Sequence, residues 1–365
     1  MSQLPLPAID KIWRRWEPRM IGAGVDYNIM LRLKNEVESW TEWCRAWSAK
    51  AADLEAYGDE AMERGHFLTA GESWAAAAVL YHFGGMYYIS DMEQFQESHQ
   101  KKLAAFAKAA PHVDPPVERF EISFGGSMLP CYLRRPQGVE KPPVVIFNNG
   151  ITGVKEELHQ RTSRYLARGL ATISWDGPGR GEVWEHLPWS GEIGPPVAAI
   201  IDYLETRSDV DGTQVGVSGP NRGGFAGAKA AAYDPRIKAL AVASPGYDRR
   251  RMKWEDLYEV AFMLHLFHLN TEDELRDRLM NQTDFTLEGE AQNIRCPTLV
   301  IGGGQDEGDQ YQGSLRLYNE VQGYKEWAVF PDAERNGNNV PYKVRPRLAD
   351  FMAQHLGVNG YAGGS

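Results

Sequence analysis

Cysteine is scarce: three residues in 365, Cys44, Cys131 and Cys296, odd in number and far apart. That pattern excludes a disulfide framework and leads us to expect reduced, buried thiols in a cytoplasmic protein. Long apolar runs are also missing. The chain opens Met-Ser-Gln-Leu-Pro and reaches charge at Asp10 and Lys11 with no apolar core before them, so secretion and membrane insertion are both disfavoured. Positive charge is in short supply as well. There are 39 Lys and Arg against 49 Asp and Glu, a formal net charge of -10, and the basic residues are scattered. No basic stripe exists to follow a phosphate backbone, so no nucleic-acid partner is expected. What the chain does have is length and apolar content, 43% hydrophobic, enough for one large α/β domain and a smaller appended module.

The texture changes near residue 113. Before it, helical spacing dominates: Trp40, Trp43 and Trp47 fall on one helical face, and residues 71–88 are rich in Ala, Leu and aromatics. Residues 1–112 therefore read as a helical cap domain, and residues 113–365 as the core. After the Asp-Pro-Pro of residues 114–116, residues 117–133 alternate like a hairpin turning at Gly125 and Gly126. Short apolar runs follow at 144–147, 171–175, 215–218, 239–243, 298–301 and 327–330, separated by helical segments. Strands alternating with helices imply an α/β fold, a mostly parallel sheet with helices on both faces. Residues 247–290 turn helical and charged, as a lid inserted over the strand ends would.

The chemistry-bearing segment is VGVSGPNRGG, residues 215–224, followed by the small-residue helix FAGAKAAAY. A strand, a sharp glycine-framed turn and a helix make the layout of a nucleophile elbow, in which residues two before and two after the centre must be small. Gly219 and Gly223 fit that frame with Asn221 at its centre. A competing frame centres on Ser218, with Pro220 where glycine is wanted. A glycine-rich turn without a site is the third reading.

The elbow stands in order with DPPVERFEI, VVIFNNGITGVKEE, WDGPGRGE, DPRIKALAVASPGYD, CPTLVIGGGQDE and NGNNVPYKVRPRLADF. Over nearly its whole length the chain thereby resembles the α/β-hydrolases similar to 2,6-dihydroxypseudooxynicotine hydrolase, relatives of the fermentation-respiration switch proteins and of fungal polyketide-shortening hydrolases. The resemblance implies an α/β-hydrolase fold with a helical amino-terminal cap, often a homodimer, and an active site between cap and core acting on ketones beside carbon-carbon or ester bonds. It implies no cofactor and no metal. Residue by residue, it places the nucleophile at Asn221, the triad acid at Asp306 and the triad histidine at Arg335. An amide has no useful nucleophilicity, and a guanidinium stays protonated and cannot shuttle protons as imidazole does. No histidine occurs between His268 and His355, and His355 reads as helix packing.

The rest of an acyl-transfer site remains legible. Backbone N–H groups of Ile151, with Thr152 beside it, and of Arg222 are the oxyanion-hole candidates. Arg222 and Arg335 add positive charge near Asn221, suited to a carboxylate, enolate or phenolate, or else Arg335 and Asp306 form a plain ion pair. Asp176 belongs to a turn that shapes the neighbouring loop. Six of the 11 tryptophans lie between Trp13 and Trp74. Most of this aromatic surface should be core, and Trp74, Tyr81 and Tyr247 are candidate pocket residues for a flat or polycyclic substrate. His82 is either a general acid or base from the cap or a core histidine. Three functions follow. The first is an enzyme of altered chemistry (cyclisation, dehydration, isomerisation, decarboxylation or C–C cleavage) on an aromatic or polyketide-like ketone. The second is a hydrolase using Ser218 or an activated water, and the third a non-catalytic ligand-binding protein.

Overall fold

The computed structural model describes residues 6–250, 257–306, 308–358 and 360, and divides into two compact units. The first comprises Met1–Glu118, Glu156–Arg161 and Trp254–Met263. Its helices are α1 (Ile9–Gly22), α2 (Tyr27–Glu36), α3 (Trp40–Glu63), α4 (Phe67–Gly85) and α5 (Met92–Ala109). Asp26 starts α2 by accepting from the Asn28 and Ile29 N–H groups, and Asp91 caps α5 through Gln94 N–H. The Trp40, Trp43 and Trp47 face of α3 is buried, and Trp13 of α1 lies 4.6 Å from Trp43 between ring centres. Helix α4 is buried along most of its length, so its apolar residues show no one-sided pattern.

The unit reaches beyond the sequence boundary at residue 112 because two later segments supply polar partners to these helices. Tyr258 accepts from Trp40 Nε1 (3.0 Å) and donates to Tyr87 O (3.0 Å). Glu157 takes a bidentate bond from Arg19 at 2.8 and 2.6 Å. Within the expected lid, α9 (Leu257–Phe267) and α10 (Glu272–Met280) are helical; residues 251–256 of that segment lie outside the described residues.

The second unit carries an eight-stranded sheet in the order β1-β2-β4-β3-β5-β6-β7-β8. Its strands are β1 (Val117–Phe124), β2 (Ser127–Arg134), β3 (Pro143–Phe147), β4 (Ala171–Trp175), β5 (Asp211–Pro220), β6 (Ile237–Ala243), β7 (Thr298–Gly303) and β8 (Lys325–Phe330). Gly125 and Gly126, both at positive φ, make the two-residue turn between β1 and β2, which only glycine adopts without strain. β2 runs antiparallel to β4, and every pairing from β4 through β3 to β8 is parallel.

Helices α6 (Leu158–Leu166), α7 (Gly194–Thr206), α8 (Arg222–Tyr233), α11 (Asp309–Glu320) and α12 (Pro341–His355) connect or follow the parallel strands. Both faces are covered. A side chain at Gly216 of β5 would meet Met352 of α12, while Gly227 of α8 lies against Val217, the next residue of β5. Adjacent strand residues point to opposite faces, so α8 and α12 flank the sheet. This is the α/β-hydrolase fold. Among the described residues, no helix is long and apolar enough to cross a membrane. The three cysteines are free thiols; burial pushes Cys44 and Cys296 up to about 11, which leaves them protonated and poor nucleophiles.

Candidate active site

In an open parallel sheet, ligand sites form in the loops beyond the carboxyl ends of the strands. Here those loops carry Asn148–Lys155 after β3, Asn221 after β5, Ser244–Arg249 after β6, Asp306 and Gln310 after β7, and Arg335 after β8. Asn221 is the hinge of the arrangement. It sits between β5 and α8 at φ 49°, ψ -119°, a conformation that costs a non-glycine residue on the order of 1–3 kcal/mol. Its N–H donates to Ala243 O (2.8 Å) and its carbonyl accepts from Phe225 N–H (2.9 Å), so strand and helix both hold the turn.

The flanking glycines have no room for a side chain. A Cβ at Gly219 would stand 2.6 Å from Asn148 O, and one at Gly223 would stand 2.1 Å from the same atom. The elbow is therefore centred on Asn221. Ser218 lies one step inside β5, fully buried, donating to Ala241 O (2.8 Å) and 3.2 Å from Tyr165 Oη. Its hydroxyl bonds the sheet, three residues before the turn's central Asn221.

Around the Asn221 amide is a network that sequence reading missed. Arg249, only 7% exposed, donates from Nη2 to Asn221 Oδ1 (3.0 Å) and from Nη1 to Gln310 Oε1 (2.6 Å). Gln310 Nε2 donates to the same Asn221 oxygen at 3.1 Å and also to Ser244 O. A guanidinium can only donate, so the oxygen of Asn221 must face Arg249 and its NH2 group must face away. That NH2 group has no partner among the described residues. Ser244, itself at φ 45°, donates through its hydroxyl to Arg335 O and so ties the loop after β8 to β6.

Asp306 is buried, with Oδ2 lacking a partner among the described residues, and Oδ1 stands 3.8 Å from Arg335 Nε, whose side chain is largely exposed. The Arg249 guanidinium is pushed well down from its ordinary value, chiefly by burial and then by the charges of Arg222 and Arg335, with Asp306 opposing. It nonetheless keeps its proton, as guanidinium groups in proteins do.

The loop carrying Ile151 and Thr152 is held from behind. Asp176, fully buried, accepts from the Lys155 backbone N–H and from Lys155 Nζ, each at 2.9 Å. Arg180 donates from Nη1 to Asn149 O, and burial pushes its guanidinium down to about 10, against the pull of Asp176. Asp176 thus braces the loop that follows β3.

Two family models match the chain: the FrsA-like esterases over residues 38–250 and the prolyl oligopeptidase family over residues 164–359. The chain is 30% identical to 2,6-dihydropseudooxynicotine hydrolase of Paenarthrobacter nicotinovorans over 92% of its own length and 90% of that protein's. It is 27% identical to Hydrolase ORFZ of Pyricularia oryzae, with 82% and 83% covered. The crystal structure of 2,6-dihydroxy-pseudo-oxynicotine hydrolase superposes with a TM-score of 0.84 at 27% identity, covering 93% of this chain and 95% of that one. The chain belongs to the FrsA-like family of α/β-hydrolases.

The remaining sequence candidates of this FrsA-like chain have the following surroundings within their own units. Trp74 and Tyr81 are buried between α3 and α4, with their polar atoms on Asp59 (3.0 Å) and Glu55 (3.2 Å). Tyr247 donates to Glu320 (2.5 Å) and lies under the Arg316 guanidinium. His82 is buried in the helical unit, its Nε2 3.2 Å from Glu157 Oε2 but too poorly aligned for a hydrogen bond. Burial pushes His82 down, and it is neutral at pH 7.

Proposed function

We propose that this FrsA-like protein is an enzyme that takes the carbonyl of a small aromatic or polyketide-like ketone through an enolate, with no covalent acyl intermediate. The observation that carries the reading is the orientation of Asn221. Its side chain occupies the strained elbow, its oxygen is turned inward by Arg249 and Gln310, and its outward group is an N–H donor. At the place where a hydrolase of this fold carries a nucleophile, this chain carries a group that binds oxygen. Arg335 stands at the place of the histidine and cannot act as a base. The relatives include hydrolases named for 2,6-dihydropseudooxynicotine and 20-hydroxy-prefusarin, which supports a small-molecule substrate.

The step is a proton abstraction. Asp306 takes the proton from the carbon beside the carbonyl, the C–H pair becomes the C=C bond, and the carbonyl π pair moves onto oxygen. The developing charge is held by Asn221 Nδ2–H and by the N–H groups of Arg222 and Ile151, donors worth about 10²–10³ in rate each in comparable sites. Returning the proton to another carbon gives isomerisation, loss of a β-hydroxyl gives dehydration, and attack of the enolate carbon on a second carbonyl gives cyclisation. Decarboxylation, with carbon dioxide leaving, and C–C cleavage, in which water adds to a second carbonyl and that fragment leaves as a carboxylic acid, reach the same enolate from the other side. A single site chemistry therefore covers every reaction type expected from the sequence.

Hydrolysis by a water that Asp306 deprotonates is the second reading, favoured by the hydrolase names of the relatives. The test is deuterium exchange into a panel of aryl alkyl ketones in D2O, followed by NMR. We expect enzyme-dependent exchange, cut by about 10²–10⁴ in Asp306→Asn. Absence of exchange across the panel, with covalent labelling by a fluorophosphonate, sinks the enolate reading; incorporation of ¹⁸O from labelled water into an acid product supports the second.

A further inference from the structure

We propose that the substrate of this site carries a carboxylate and that Arg249 is the residue that selects for it. The inference rests on the enolate reading and narrows it to a class, the keto acids. Its basis is a buried charge with no carboxylate partner among the described residues. Among the other buried cations of the second unit, Lys155 meets Asp176 at 2.9 Å and Lys229 meets Glu290 at 2.6 Å, whereas Arg180 donates to the backbone carbonyls of Asn149 and Gly150. Arg249 likewise meets no carboxylate among the described residues, and it bonds the side chain of the Asn221 turn. Its partners among the described residues are the neutral oxygens of Gln310, Asn221 and Pro245, and its buried Nε has no acceptor there. Among the described residues no carboxylate stands within ion-pair distance of it.

The surroundings deepen the imbalance. Arg222 and Arg335 act on Arg249 with like charge, and the acid that opposes them, Asp306, already faces Arg335. Holding an ion in a buried site without a counter-ion is strongly unfavourable, and replacing such a group by an apolar one of similar size commonly raises stability. A buried cation beside a strained turn, with no carboxylate among the described residues to meet it, therefore fits the place of a bound anion. The transient enolate meets this need only during turnover, whereas a carboxylate meets it in the bound ground state. Arg249 is suited to that role because two of its five N–H donors, Nε and one on Nη1, have no acceptor among the described residues.

The probes are 4-oxo-4-phenylbutanoate and its methyl ester, equal in shape near the ketone and different in charge. Calorimetric titration at low salt should show wild type binding the acid at least about tenfold tighter than the ester. Arg249→Met should bind the two equally, and Arg249→Lys should keep part of the preference. The acid should raise the melting temperature of wild type and leave that of Arg249→Met unchanged. Should Arg249→Met fail to fold, Asn221→Asp, which sets a carboxylate against the guanidinium in nearly unchanged shape, should erase the preference in its place. Equal binding of acid and ester by wild type, or a preference that survives in both Arg249→Met and Asn221→Asp, overturns the proposal. Deuterium exchange into the ester, in that event, shows that the enolate reading stands and only the substrate class fails.

Discussion

The strain at Asn221 can be measured against glycine. Asn221→Ala removes the acceptor of two hydrogen bonds, one from Arg249 at 3.0 Å and one from Gln310 at 3.1 Å. A bond from a charged donor contributes about 1.5–3 kcal/mol and a neutral one about 1, so the loss is about 2.5–4 kcal/mol. It is limited to that because Arg249 keeps Pro245 O and Gln310 keeps Ser244 O. Asn221→Gly loses the same two bonds but releases the cost of φ 49°, ψ -119°, about 1–3 kcal/mol. Alanine carries a Cβ and releases nothing. Glycine should therefore be more stable than alanine by about 1–3 kcal/mol. With an unfolding entropy of about 2.1 cal/mol/K per residue, a chain of 365 residues shifts by about 1.3 °C per kcal/mol, so the two variants should melt roughly 1–4 °C apart. Differential scanning calorimetry resolves that. An alanine variant as stable as the glycine variant would refute the claim that the elbow is strained.

Ser218→Ala should lose about 1 kcal/mol, the bond to Ala241 O, and leave ketone exchange unchanged; loss of turnover with intact folding would make Ser218 the nucleophile after all. Gly181→Ala places a Cβ 1.9 Å from Asp176 Oδ2 at φ +52°, so strain and overpacking together should cost about 2–6 kcal/mol and lower the melting temperature by several degrees. An unchanged melt would show that the Asp176 brace is loose. For pH, burial holds His82 below its ordinary value, so the unfolded chain binds the extra proton first. The stabilisation from its neutral form is present above about pH 6.5 and is lost as pH falls. Glu157 works in the same direction lower down: burial alone would raise it, but the Arg19 guanidinium brings it well below its ordinary range, so its share is lost as pH falls below about 4.3. Melting curves from pH 8 to 5 should fall more steeply for wild type than for His82→Leu, and equal slopes would contradict this.

The strands were legible because central parallel strands are buried on both faces and read as short apolar runs, as at 144–147 and 239–243. The elbow was legible because its frame needs two glycines, and the backbone at Asn221 separates it from the Ser218 frame. Arg249 was not legible. In the run DRR nothing distinguishes it from Arg250, and the fold alone decides. Arg249 N–H bonds Phe285 O beside the bridge between Asp248 and Thr286, which turns the Arg249 side chain inward. Arg250, on the other side, pairs with Asp248 and Glu288 near the surface. Ser244 gave a weaker sign, lying just past the end of β6, and Gln310 gave none, since it sits in the first turn of α11. Trp74 and Tyr81 are seven apart on α4 and meet Asp59 and Glu55, four apart on α3, a pairing of helical faces that the spacing alone makes legible.

Asparagine at residue 221 is the side chain that lets the two unusual features of the site coexist. Serine is too short to reach the Arg249 guanidinium and would leave another donor buried without an acceptor. Aspartate would reach it with the same geometry but cancel its charge, and the site would then be filled from within. The amide alone accepts from Arg249 while leaving the positive charge in place, and turns its own N–H2 group the other way. The strained elbow and the buried cation are thus one device. The turn holds the donor out and the arginine holds the donor's orientation, and on the keto-acid proposal the substrate's carboxylate meets the arginine's charge.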